Sequence, residues 1–121
     1  MKIAVDTTER GTVRVRIDRH GKTVRRTRKM FAEKLLIFLD SLFKKDRLKL
    51  IAVVAGPGAF SATRNGVAIA NALSYGRKIP IVAITKEQFD APAPLPEKGT
   101  GESIAVVYGS EPNITKKKAR L

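Results

Sequence analysis

Few residues in this chain have the types and spacing that chemistry requires, and most of them cluster around two glycines. In "AGPGAFSATRNG", residues 55 to 66, Gly56 and Gly58 free the backbone to turn between an apolar run and an alanine-rich stretch. A strand-to-helix turn of this kind offers unpaired N–H groups to an anion. A phosphate loop of the form G-x-x-x-x-G-K-[ST] needs lysine six residues on from Gly56, and Ala62 stands there. The dinucleotide pattern G-x-G-x-x-G needs glycine where Ser61 stands. The plainer reading is a tight turn stiffened by Pro57. Asp6 closes the run "KIAVD", a position from which a carboxylate can hold a nuclease metal. Two-metal hydrolysis needs several converging carboxylates. The run ending at Ala55 carries no acid, and Glu33 and Asp40 are scattered. Asp6 can equally cap the amides of "DTT". His20 is the single histidine, and cysteine is absent, so neither a zinc site nor a Cys-His or Ser-His pair can be built on it. It reads as a turn residue. No catalytic or metal-binding residue and no cofactor is expected.

Charge is the second signal. The 121 residues hold 24 Lys and Arg against 11 Asp and Glu, a formal net charge of +13. Such a surplus attracts polyanions or an acidic protein surface. Arg14, Arg16, Arg25 and Lys29 are expected to line the solvent side of two paired strands, with Arg19 and Lys22 at their turn. Together with Lys116, Lys117 and Lys118 in the tail they are the nucleic-acid candidates. A merely solvated basic face is the alternative, and the few nearby aromatics argue against sequence reading. Absence of cysteine excludes a disulfide framework and fits a reducing compartment. "MKIAV" reaches charged residues too soon for a signal peptide, and no apolar run approaches the roughly 20 residues a membrane span needs. A soluble, cytoplasmic protein with no membrane partner is expected.

The elements that must position these residues follow from periodicity. Residues 2 to 6 read as a central strand. In "TVRVRID", Val13, Val15 and Ile17 alternate with Arg14, Arg16 and Asp18, and Gly21 turns the chain into "KTVRRTRK", a polar edge strand. Residues 1 to 29 are thus an antiparallel meander. From 31 to 45 the period is helical, with Phe31, Leu35, Phe38, Leu39 and Leu42 on one face and Leu36 and Phe43 widening it. "LKLIAVVA" is a strand covered on both sides. A helix follows from about Ser61, as N-cap, to Tyr75, with Gly76 as C-cap. "IPIVAIT" is another strand, and Thr85 with Gln88 forms a capping pair for a short helix. "DAPAPLPEKGTGE" reads as linker, "SIAVVYG" as a last strand and "SEPNITKKKARL" as a basic tail. This divides the chain into a domain over 1–90, a linker over 91–103, and a strand with tail over 104–121.

The helix after the glycine turn has two usable sides. Ala62, Gly66, Ile69 and Leu73 are expected to meet the sheet. Arg64, Ala68, Asn71 and Tyr75 repeat the spacing on the other side, where small residues flanked by Arg and Tyr suit close approach by another helix. With the surplus apolar arc of the first helix, this points to a docking surface.

The order β-β-β-α-β-α-β implies an α/β fold with a mixed sheet, the order of a ribonuclease H-like domain and of one half of an actin-like ATPase. "KIAVDTT", "LKLIAVVAGPGAFSATRNGVAIANAL" and "IPIVAITKEQF", in this order, resemble the amino-terminal half of the TsaB/YeaZ family, the dimerization subunit of the bacterial tRNA threonylcarbamoyladenosine machinery. Gly56, Pro57, Gly58, Phe60, Arg64, Gly66 and Ala68 match its motif GPGSF-TG-x-R-x-G-x-A. Ala59 and Ala62 depart from it but keep small side chains. The resemblance implies a non-catalytic scaffold that pairs with a homologous TsaD-type catalytic subunit through its first two helices and supports threonylcarbamoyl transfer to adenosine 37 of tRNA. It implies an interface of Leu36, Phe43, Phe60, Ser61, Arg64, Ala68, Asn71 and Tyr75, the option of a homodimer, and a tRNA contact through the basic surface. Family members carry a second actin-like half. Here "VVYGSEPNITKKKARL", with Tyr108 in place, resembles the family's closing P-x-Y-x-R tail, so the second half is expected to be lost. Asp6, Thr7, Gly56 and Gly58 would then be vestiges of a nucleotide site. The rival readings are a basic RNA-binding module and a small nucleotide-binding or nuclease domain.

Overall fold

The computed structural model describes residues 1–31, 34–42 and 47–107. Five strands form one mixed sheet in the order β3-β2-β1-β4-β5. β1 (Lys2–Asp6), β2 (Thr12–Arg19) and β3 (Lys22–Lys29) are the expected meander. His20 at φ 54° and Gly21 at φ 74° make its two-residue turn, both in the left-handed region such hairpin turns demand. β4 (Leu50–Val54) and β5 (Ile81–Ile84) add in parallel to β1, each after a helix.

One face of the sheet is apolar. Ile3, Val5, Val13, Val15, Ile51 and Val53 pack with Leu35 and Leu39 of α1 (Leu35–Leu42) and with Val67, Ala70 and Leu73 of α2 (Phe60–Arg77). α1 buries Leu35 and Leu39 of its expected face, Phe31 departs from that face, and α2 keeps only part of its expected stripe. Phe31, Leu36 and Ile37 are exposed, and Phe38 is only half-buried. On α2 the sheet-facing residues are Thr63, Gly66, Val67, Ala70, Leu73 and Ser74. That stripe keeps the expected Gly66 and Leu73, with Gly66 against Thr7, while Ala62 and Ile69 are only half-buried at its margin.

The ends of α2 differ too. Ser61 does not cap it: the N-cap is Ala59, whose amide donates to Thr8 O at 2.7 Å and whose carbonyl accepts from Thr63 N at 2.9 Å. Backbone contact with the 6–8 loop fixes the start in place of a hydroxyl. At the other end the helix runs through Gly76, and Lys78 takes the left-handed conformation that satisfies the last carbonyls.

The second face carries the larger surprise. α3 (Lys86–Asp90) has the expected capping box, Thr85 Oγ1 accepting from Gln88 N while the Gln88 side chain accepts from Thr85 N. The segment after it, read as linker, lies on the sheet. Phe89 and Leu95 are buried with Ala4, Leu50, Ala52, Val54 and Ile84. Ala4 and Ala52 stand opposite each other in the two central strands, and their small side chains leave room for Phe89 and Leu95. Thr100 then pairs with Ile81 through two backbone bonds of 2.9 and 2.7 Å. The expected last strand is not one: residues 103–107 run without strand pairing. Asn71 bonds both ways to the Ile104 backbone, Val107 N donates to Ala55 O, and Ile104 and Val106 pack on the apolar core, which together hold this segment.

Candidate functional site

The loop after β1 meets the loop after β4 and the start of α2, and Gly58 and Gly66 let it. A Cβ on Gly58 would run into Thr8, with its backbone O at 2.7 Å and Cα at 2.8 Å. A Cβ on Gly66 would overlap the Thr7 side chain, and one on Gly56 would overlap the Val107 carbonyl. Thr7 Oγ1 donates to Ala62 O at 2.8 Å, tying the loop to the first turn of α2. Thr7 and Gly58 are thus drawn into one junction beside Asp6, as contacts of the chain with itself, while Gly56 is set against Val107. The glycines serve close backbone approach between neighbouring segments.

Asp6 is occupied. Oδ1 accepts from the Thr8 amide at 2.8 Å and from its hydroxyl at 2.5 Å, while Oδ2 accepts from Arg14 Nη2 at 2.7 Å and Nε at 3.2 Å. Burial alone would raise its pKa, but the Thr8 bonds and the Arg14 guanidinium outweigh that and hold the carboxyl below its ordinary 3.8. The capping alternative describes it, with an arginine added. Among the described residues no three His, Cys, Asp or Glu side chains group to hold a metal ion.

The basic hairpin face is corrected. Alternation does put Arg14, Arg16 and Arg25 on one side, but that side is covered by α3 and the segment to Leu95. Arg16 is fully buried; Nη1 donates to the carbonyls of Gln88, Phe89 and Ala91 at 2.9, 3.3 and 3.0 Å, and Nη2 to Ala93 O at 2.6 Å. Its Nε pairs with Asp18 Oδ1 at 2.9 Å. Arg25 donates to Phe89 O at 3.2 Å and Ala91 O at 2.8 Å. Arg14 bridges Asp6 and Asp90 and stacks 4.5 Å over the Phe89 ring. Arg16 and Arg25 hold the protein's own backbone and Arg14 its carboxylates, which takes the fully buried Arg16 out of any nucleic-acid surface. Lys29 is exposed. Lys116, Lys117 and Lys118 lie outside the described residues.

Of the expected interface, Phe60, Ser61, Arg64, Ala68 and Tyr75 are exposed along α2, Tyr75 at 88%. Arg64 lies 5.0 Å over the Phe60 ring, one helical turn away. Leu36 is exposed on α1. Asn71 is half-buried and engaged with Ile104, which reassigns it from the exposed side to an internal clamp. Phe43 lies outside the described residues. Beside the start of α2 a cleft of about 340 Å³ is lined by Thr7, Arg10, Phe31, Phe60, Ser61 and Asn65, among others. Arg10 and Asn65 had no sequence signal, since only the fold brings residue 10 near residue 60.

A sheet of this order, with two helices on one face and its loops joined at the carboxyl ends of β1 and β4, is the ribonuclease H-like half of an actin-like fold. The comparisons agree. Residues 25–108 match the model of the family described as "TsaD: tRNA N6-adenosine threonylcarbamoyltransferase", well over half of the chain, and the chain belongs to that family. YeaZ from Pseudomonas aeruginosa superposes with a TM-score of 0.61 at 22% identity over 69% of this chain and 43% of that one. An uncharacterized protein with similarity to peptidase YeaZ, from Pseudomonas aeruginosa, gives 0.62 at 20% identity over 76% and 49%. At these identities the likeness is one of fold. The chain spans less than half the length of either solved relative. No curated protein matches it. Among the described residues no helix is long and apolar enough to cross a membrane.

Proposed function

We propose that this chain is a non-catalytic scaffold of the TsaB/YeaZ type, which docks a TsaD-type catalytic subunit and supports threonylcarbamoyl transfer to adenosine 37 of tRNA in the cytoplasm. The observation that carries this reading is the exposed side of α2, where Phe60, Arg64, Ala68 and Tyr75 follow one another beside exposed Leu36 and Ile37 of α1. Aromatic and arginine anchors around a small residue are what a close helix-to-helix contact uses. The Asp6 carboxylate and the Thr7 hydroxyl are taken up by contacts within the chain, which supports a structural task for the loop that resembles a nucleotide site. The same surface serves a homodimer when no catalytic subunit is present.

The family description names the transferase, which favours a catalytic role as the second reading. Asp6→Asn, assayed where it keeps the native circular dichroism spectrum and still binds the catalytic subunit, separates the two, since a catalytic role requires the folded variant to lose turnover in the reconstituted reaction and a scaffold role does not.

The direct test is association of the full chain with a TsaD-type subunit, followed by light scattering on a sizing column. Wild type is expected to form a stable complex, and Arg64→Glu and Ala68→Trp to weaken it at least tenfold while keeping the native circular dichroism spectrum. Wild-type association by both variants contradicts the interface.

A further inference from the structure

The hairpin that spends Arg14, Arg16 and Arg25 on one side of the sheet carries a second set of cations on the other. Register pairs Ile17 with Val24, Val15 with Arg26 and Val13 with Arg28. Paired residues point to the same side, so Lys22, Val24, Arg26 and Arg28 share the α1 side of the edge strand β3, every residue of which is exposed. At about 6.8 Å per two residues, Arg26 and Arg28 are neighbours and Lys22 stands two steps from Arg26, across Val24. The hairpin contains one acid, Asp18, and it faces the opposite side, where Arg16, Thr23 and the Leu95 amide engage it. Nothing acidic on the hairpin neutralises these cations.

The cationic side also has a shape. Ile17 and Val24 floor a shallow groove of about 380 Å³ rimmed by Arg19, His20, Lys22 and Arg26. Val24 is 45% exposed, an apolar residue on a strand otherwise given to Lys, Arg and Thr. Further along, exposed Arg28 lies 5.6 Å over the Phe38 ring of α1, which holds its guanidinium at the surface. Charged edge strands guard against edge-to-edge pairing, and scattered lysines suffice for that. Two neighbouring arginines, with a lysine beyond an apolar floor, suit a strand whose phosphates carry charge and whose bases or riboses seek a non-polar contact.

We propose that the α1 side of β3, through Lys22, Arg26 and Arg28 around Val24, is a track for the phosphate backbone of RNA. This deepens the scaffold reading and rests on it, since tRNA is the molecule on which that assembly acts. The occupant is RNA rather than an acidic protein segment because the cations flank an apolar floor, Lys22 on one side of Val24 and Arg26 with Arg28 on the other, which offers phosphates and a base or ribose a contact together. Contact with phosphates along such a track is sequence-independent and strongly salt-dependent.

The test uses the full chain and unfractionated tRNA, with binding measured by fluorescence anisotropy over a salt series. Arg26→Glu with Arg28→Glu is compared with Lys86→Glu with Lys98→Glu, a pair of exposed lysines beyond the other face whose reversal changes the net charge equally. The β3 pair is expected to weaken binding at least tenfold at 0.1 M salt and to reduce the log–log salt slope by about 1.4 to 1.8, two contacts' worth. The control pair is expected to change affinity less than threefold. Equal loss in both pairs, no loss in the β3 pair, or poly-glutamate binding as tightly as tRNA overturns the proposal. Transferase association retained by the β3 pair while tRNA binding stays at wild-type strength sinks only this inference, whereas wild type failing to associate with the transferase at all sinks the scaffold reading.

Discussion

The two faces of the sheet are held by different physics. Under α1 and α2 the contact is apolar, built from Ile3, Val5, Val15, Val53, Leu35, Leu39 and Val67, and each such side chain is worth about 1.5–3 kcal/mol when fully buried. Under α3 and the segment to Leu95 the apolar patch is small, centred on Phe89 and Leu95, and charge-assisted bonds from Arg14, Arg16 and Arg25 supply the rest. Apolar packing is non-directional and leaves the outer sides of its helices free. The arginine network is directional and consumes every group it orders. That difference suits the first face to the outward contact proposed above and the second to internal closure.

The comparison breaks hardest at Arg16. Arg16→Met removes the donor for four carbonyls and the partner of Asp18, and is expected to cost about 3–5 kcal/mol, read from urea unfolding midpoints. A loss below 1 kcal/mol would mean that the second face does not depend on its arginine. Asp6→Asn is expected to cost about 1–3 kcal/mol at neutral pH, since it leaves Arg14 and the Thr8 pair with a weaker acceptor. Its pH dependence carries a sign. The folded pKa values of Asp6 and Asp18 are depressed, so their stabilisation is present above the unfolded value of about 3.9 and is lost as pH falls through the folded values, below about pH 4. Thermal melts of wild type should fall steeply there, and those of Asp6→Asn less steeply.

The apolar face is sharpened by two glycines of α2. Gly66→Ala drives a methyl into Thr7 and is expected to cost about 1–3 kcal/mol, whereas Gly76→Ala meets open space within the helix and is expected to stabilise by up to about 1 kcal/mol in the same melts. Equal effects at the two positions would mean that α2 does not press on the 6–8 loop.

What was legible in the sequence was local. The alternation of Val13, Val15 and Ile17, the turn at Gly21, the run before Gly56 and the Thr85–Gln88 cap each state their structure within a few residues. What was not legible depended on distant segments. Arg14, Arg16 and Arg25 alternate as a solvent face would, and only residues 88 to 93, more than 60 positions away, turn that face inward. Pro and Gly in "DAPAPLPEKGTGE" announce irregular backbone truly, yet irregular backbone packs when arginine donors meet its carbonyls. Ser61 looks like an N-cap by type, but the Ala59 bond to Thr8 decides the start. The sheet-facing stripe of α2 keeps only part of the expected one, and the contact of Gly66 with Thr7 is one that no periodicity encodes.

The central claim, that one face of this domain is for a neighbour and the other for itself, is tested most directly by hydrogen–deuterium exchange of the full chain with and without a TsaD-type catalytic subunit. Slowed exchange is predicted over residues 35–42 and 60–75, with no change over 86–95. Protection over 86–95, or none over α2, would contradict it.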